Sequence, residues 1–108
     1  MAAVHTLDAD SFDEVVTGAD RPVVVDLWAA WCGPCHWLSR ELEALAAETD
    51  AVRVVKLDVD AHPEISVRYG VLALPTLLVF QDGVERLRLV GARPKAQLRR
   101  DLAEVLGA

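Results

Sequence analysis

The chain has 108 residues, 53% of them apolar, and a formal net charge of −6 at pH 7. That length suits one domain (1–108) around a single core, and an acidic chain without a stripe of Lys and Arg argues against nucleic acid or an anionic membrane as partner. No apolar run reaches the roughly 18–20 residues of a spanning helix, and Met1 to Asp8 carries neither the basic nor the apolar region of an export signal, so a cytoplasmic monomer is expected.

Taken in order, Val4 to Leu7 reads as a short edge strand. Ser11-Phe12-Asp13-Glu14 has the pattern of a capping box and predicts the start of a short helix. Val23 to Trp28 is a nearly continuous apolar run, interrupted only by Asp26, and predicts a central strand covered on both faces. From Pro34 to about Glu48, Leu38, Leu42, Leu45 and Ala46 recur at the spacing of an amphipathic helix. A strand over Val52 to Leu57 follows, then a helix opened by Asp60-Ala61-His62-Pro63 and ending near Tyr69-Gly70. Thr76 to Phe80 is a second apolar strand, joined through Gln81-Asp82-Gly83 to the alternating run Arg86 to Val90 as a hairpin. Pro94 suits the first turn of a last helix whose buried face is Leu98, Leu102, Val105 and Leu106. Strands alternating with helices and closing in a hairpin imply an α/β fold, a mixed sheet with helices on both faces.

Only two cysteines occur, Cys32 and Cys35. A bridge between them closes too small a loop to constrain the unfolded chain, which leaves catalysis or metal binding as the reason for the pair. A C-x-x-C by itself is equally common in zinc sites. Its setting, directly after a buried strand and at the start of a helix, aims backbone N–H groups and the positive end of the helix dipole at Cys32. A thiolate is stabilised there, and the thiolate is the form that attacks a disulfide. Cys32 is therefore expected at the exposed end as nucleophile, and Cys35, one turn along, deeper as the resolving thiol. Gly33 would let a substrate backbone approach, and Pro34 would stiffen the turn without removing a needed N–H.

Asp26 to Cys35, with Trp31-Cys32-Gly33-Pro34-Cys35 at its end, resembles the active-site signature of the thioredoxin family. Ser11-Phe12-Asp13, Val55 to Asp60, Tyr69-Gly70-Val71, Leu74-Pro75-Thr76-Leu77 and Val90-Gly91-Ala92 extend the resemblance over essentially the whole chain. It implies a thioredoxin fold, a five-stranded mixed sheet flanked by four helices. It further implies a protein-disulfide reductase with no bound cofactor and no metal, re-reduced by thioredoxin reductase with NADPH. In such a protein Asp26 would lie buried behind Cys35 as proton acceptor and donor, its pKa raised by burial and moderated by Lys56. Pro75 would be cis and would present the backbone of Leu74 to an extended substrate. Trp31, Gly33, Pro34, Leu74, Pro75, Gly91 and Ala92 would form an apolar collar around Cys32 suited to many protein disulfides, with Trp28 packed beneath. For Asp26 and Gly91 plainer readings stand beside these: a strand-end carboxylate with a route to solvent, and a strand-end glycine.

Two departures from the family pattern stand out. Cys32 to His36 spells C-x-x-C-H, the attachment pattern of c-type haem; the strand–helix setting does not suit that chemistry, and the only methionine is Met1. On the helix past Cys35, His36 is either a pH-sensitive tuner of the pair or an exposed residue of little consequence. Arg40 stands where many family members have a helix-kinking proline, so a straighter helix is expected. A role as binding module, structural subunit or holdase stays open beside redox chemistry, because a fold alone does not fix function.

Overall fold

The computed structural model describes residues 4–107; Met1 to Ala3 and Ala108, the ends of the expected domain, lie outside the described residues. Ten elements follow in order: β1 (His5–Thr6), α1 (Ala9–Gly18), β2 (Val23–Trp28), α2 (Gly33–Ala46), β3 (Arg53–Asp58), α3 (Pro63–Arg68), β4 (Thr76–Gln81), β5 (Val84–Val90), α4 (Lys95–Asp101) and α5 (Ala103–Leu106). The strands form one five-stranded sheet in the order β1-β3-β2-β4-β5. β1, β3 and β2 run parallel, and β4 and β5 are antiparallel to their neighbours.

The period of two along β2 sorts its side chains onto two cores. Val23, Val25 and Leu27 join Phe12, Val16, Val55, Leu57, Ile65, Leu78 and Phe80 under α1 and α3. On that side Phe12, Tyr69 and Phe80 form a triangle of rings with centroids 5.4–5.6 Å apart. Val24 joins Leu38, Leu42, Leu45, Val54, Leu77, Val79, Leu98 and Leu102 under α2 and α4. Asp26, two residues after Val24, is therefore delivered to the α2 face of the sheet.

The β4–β5 hairpin turns through Asp82 and Gly83 alone, with φ of +54° and +78°. Both central residues lie in the left-handed region, as a hairpin turn matching the strand twist requires. A Cβ at Gly83 would also stand 3.3 Å from the Thr17 Cγ2, so the glycine lets the turn settle on the end of α1.

Two sequence expectations are corrected. Ser11 is not the N-cap of α1 but its third residue: the N-cap is Asp8, whose carboxylate accepts from the Ser11 N–H at 2.8 Å while the Ser11 hydroxyl accepts from the Asp8 N–H at 3.2 Å. The reciprocal box exists, three residues earlier than expected. The last helix is divided as well. Pro94 caps α4 without entering it, and Leu102, at φ −100° and ψ 11°, separates α4 from α5, so among the described residues five helices flank the sheet where four were expected. Leu102 still donates to Leu98 and accepts from Leu106, which keeps the apolar face continuous across the break.

Candidate active site

β2 leads straight into the site. Trp28 ends the strand, Ala29 to Trp31 turn the chain, and Cys32 caps α2 with Gly33 and Pro34 in its first turn. The turn is closed by the Cys32 N–H donating to Ala29 O at 3.1 Å. Proline is tolerated there because the first N–H groups of a helix have no partner within it. The end of α2 is not left bare, because the Cys35 N–H donates to the sulfur of Cys32 at 3.2 Å.

Cys32 and Cys35 form a disulfide with Cα atoms 5.2 Å apart. In this state Cys35 is fully buried and Cys32 retains 5% of its surface. The difference runs in the expected direction, although Cys32 is more covered than an exposed end suggests. With Ala29 the two sulfurs form a small apolar cluster, against which Trp28, Val59 and Leu74 pack. Trp28 thus lies beneath the pair, as expected.

On the α2 face of the sheet, Asp26 is 1% exposed, which removes the reading of a solvent-facing strand-end carboxylate. Burial pushes its pKa from 3.8 up to about 6. Three groups adjust that value: the Ser39 hydroxyl and the charge of Lys56 lower it, and the charge of Glu43 raises it. Lys56 is the register partner of Asp26 on β3. Its ammonium stands 4.6 Å over the Trp28 ring, a cation–π contact in place of an ion pair.

The expected collar is unevenly exposed. Trp31 is 72% exposed, and its indole N–H donates to the Asp60 carboxylate at 2.8 Å. Gly33 and Pro34 are exposed beside it. The fold itself does not demand glycine at position 33, since no atom lies within 4 Å of where its Cβ would stand. Leu74 is half-buried against the cysteines, and the Leu74–Pro75 bond is cis, with Pro75 buried. Gly91 joins this loop by donating its N–H to Pro75 O at 2.9 Å. Its φ of +98°, with nothing within 4 Å of a Cβ, shows that backbone conformation and not close approach selects glycine there. Ala92 is half-buried on the α2–α4 core.

His36 hydrogen-bonds through Nε2 to Ala30 O at 2.8 Å and lies edge-on to Trp28, ring centroids 6.0 Å apart. Among the described residues no three His, Cys, Asp or Glu side chains converge as a metal site would require. α2 runs unbroken through Arg40. Sequence reasoning missed two residues of the site, Ser39 and Asp60. Ser39 sits one turn past Cys35, a spacing that could have flagged it; Asp60 is far from Trp31 in sequence and left no local signal.

The thioredoxin family model matches residues 3–104. The chain belongs to the thioredoxin family. It is 45% identical over 105 residues to the thioredoxin of Alicyclobacillus acidocaldarius subsp. acidocaldarius, covering 96% of this chain and 99% of that one. To the thioredoxin of Mycolicibacterium smegmatis it is 45% identical over 108 residues, 97% of this chain and 96% of the other. A bifunctional thioredoxin reductase/thioredoxin of Mycobacterium leprae is 42% identical over 104 residues, 95% of this chain and 22% of that protein. As a family member with its cysteine pair at bonding distance, the protein is a thiol–disulfide oxidoreductase. Among the described residues no helix is long and apolar enough to cross a membrane.

Proposed function

We propose that the protein reduces disulfides of other proteins by dithiol exchange, with Cys32 as nucleophile, Cys35 as resolving thiol and Asp26 as the proton group behind them. The Cys32 thiolate attacks one sulfur of the substrate; the substrate S–S bond breaks, a Cys32–substrate disulfide forms, and the departing thiolate takes a proton. Cys35 then gives its proton to Asp26 and attacks the Cys32 sulfur, releasing the second substrate thiolate. Two electrons pass to the substrate, whose first thiolate takes its proton from solvent and whose second takes the one Asp26 holds, and the Cys32–Cys35 disulfide is left.

The observation that carries this reading is the Cys35 N–H directed at the Cys32 sulfur at a helix N-terminus. That setting favours charge on Cys32 and leaves Cys35 the buried partner. The proton role of Asp26 is supported by its burial and its raised pKa, near the pH at which a general base is most effective. Lys56 keeps that value from rising further. Trp31, Gly33, Pro34, Leu74, Pro75, Gly91 and Ala92 are assigned to substrate docking. The exposed Trp31 ring and the open space over Gly33 meet an extended segment, while Pro75 and Gly91 fix the backbone of Leu74 beside it.

The disulfide is returned to the dithiol by thioredoxin reductase drawing on NADPH, a partnership supported by the relative that carries both names in one chain. No bound cofactor is needed, since the reacting atoms all belong to the cysteines. We read residues 1–108 as one domain acting as a monomer, because the redox pair is complete within one chain. The cytoplasm is its assigned compartment, where disulfides are typically transient and catalytic. Insulin-disulfide reduction by wild type and by Cys32→Ser tests the reading: loss of turnover in the variant is expected. Equal turnover, or none in either protein with chaperone-like binding retained, would favour a binding module.

A further inference from the structure

We infer that Ser39 is a positioning residue for the redox centre: its hydroxyl holds the Asp26 carboxylate and sets how tightly Asp26 binds its proton. The Ser39 hydroxyl donates to Asp26 Oδ2 at 3.0 Å, across from α2 to β2. Both residues are buried, Asp26 at 1% and Ser39 at 8% exposure. Asp26 Oδ1 is buried without a partner among the described residues. The Ser39 hydroxyl is therefore the side-chain donor on which the carboxylate depends.

The placement of Ser39 is informative in itself. A serine inside a helix ordinarily turns its hydroxyl back to the carbonyl four residues earlier, and alanine would be the better helix former at such a site. Here the hydroxyl reaches into the sheet instead. Ser39 lies four positions after Cys35, so the two share one face of α2, and the bond from Ser39 fixes the carboxylate on the face of the sheet that α2 covers. A hydroxyl donor stabilises the ionised carboxylate more than the protonated acid, since a bond to a charged acceptor is the stronger one. Lys56 on β3 acts in the same sense and Glu43 on α2 in the opposite one, while β4 presents the uncharged Leu77 in register with Asp26. Ser39→Ala should therefore leave Asp26 holding its proton to higher pH.

This role rests on the reading of Asp26 as proton acceptor, and two measurements keep them apart. The first follows the Asp26 side-chain carboxyl by carbon NMR through a pH titration of the oxidised protein. Ser39→Ala should move its midpoint up by about one pH unit, a tenfold change in proton affinity. Ser39→Thr, which keeps the hydroxyl, should stay near wild type. An unmoved midpoint in Ser39→Ala, or an equal rise in both variants, would overturn the inference. The second is the pH profile of insulin reduction: the same upward displacement in Ser39→Ala supports the positioning role, and an unmoved profile overturns it. An inflection that persists in Asp26→Asn would instead remove Asp26 from the reaction, a result the NMR arm neither needs nor produces.

Discussion

Lys56 holds its ammonium 4.6 Å over the ring of Trp28, although Asp26 is its register partner on the adjacent strand. Among the described residues no cation pairs with the buried carboxylate at contact distance. The lysine acts on it through space while bracing the indole that lies under the cysteines. That arrangement leaves Asp26 free to change its charge during a reaction, which a tight ion pair would resist.

Replacing Lys56 with Met should raise the pKa of Asp26 further, because a charge that favours the carboxylate is lost. The pH profile of disulfide reduction is expected to move to higher pH, with Lys56→Arg close to wild type. Trp28 fluorescence should change in Lys56→Met as the cation leaves the ring. A profile that stays in place would show that Lys56 serves packing alone.

Asp26 also makes a prediction about stability. Its folded pKa of about 6 lies above the ordinary 3.8, so between these values the native state binds more protons than the unfolded one. Stability then falls as pH rises through this window, and the full cost is present above it. Asp26→Asn should therefore stabilise the oxidised protein by about 3 kcal/mol at pH 8. The gain should vanish below pH 3.8. Denaturant unfolding of both proteins at the two pH values checks this, and a gain independent of pH would contradict it.

Away from the site, α4 begins at Lys95 behind Pro94, an N-cap that offers no side-chain hydrogen bond. Glu41, on α2, accepts from the Lys95 N–H at 2.9 Å and takes that place. Glu48 of the linker after α2 adds pairs to Lys95 and Arg99. Glu41→Ala should cost about 1 kcal/mol, the usual value of a cap, with disulfide reduction unchanged. A loss of activity without loss of stability would mean that α4 matters to the site in some other way.

Much of this was legible in the sequence where one period or one turn decided the matter. The nearly continuous apolar runs of β2 and β4 placed both at the centre of the sheet, and Asp82-Gly83 announced its hairpin. Helix ends were harder. Ser11 carries the same pattern whether it caps forward to Glu14 or back to Asp8, and only the observed bond pair decides. The break at Leu102 leaves no mark, because the apolar spacing continues across it.

The site divides the same way. The cysteines, Asp26 and the strand–helix junction are neighbours in sequence and could be read there. The bonds from Ser39 to Asp26 and from Trp31 to Asp60 join different elements and depend on how those elements face one another. His36 announced a haem-like motif, yet it binds Ala30 O and rests against Trp28.

The unequal roles of the two cysteines are the centre of the account, and trapping tests them most directly. Reduced Cys35→Ser and Cys32→Ser variants are incubated with insulin and examined by mass spectrometry under non-reducing conditions. Cys35→Ser should accumulate a covalent adduct joined through Cys32, while Cys32→Ser should give little or none. An adduct through Cys35 in the second variant, or no adduct in the first, would contradict the assignment.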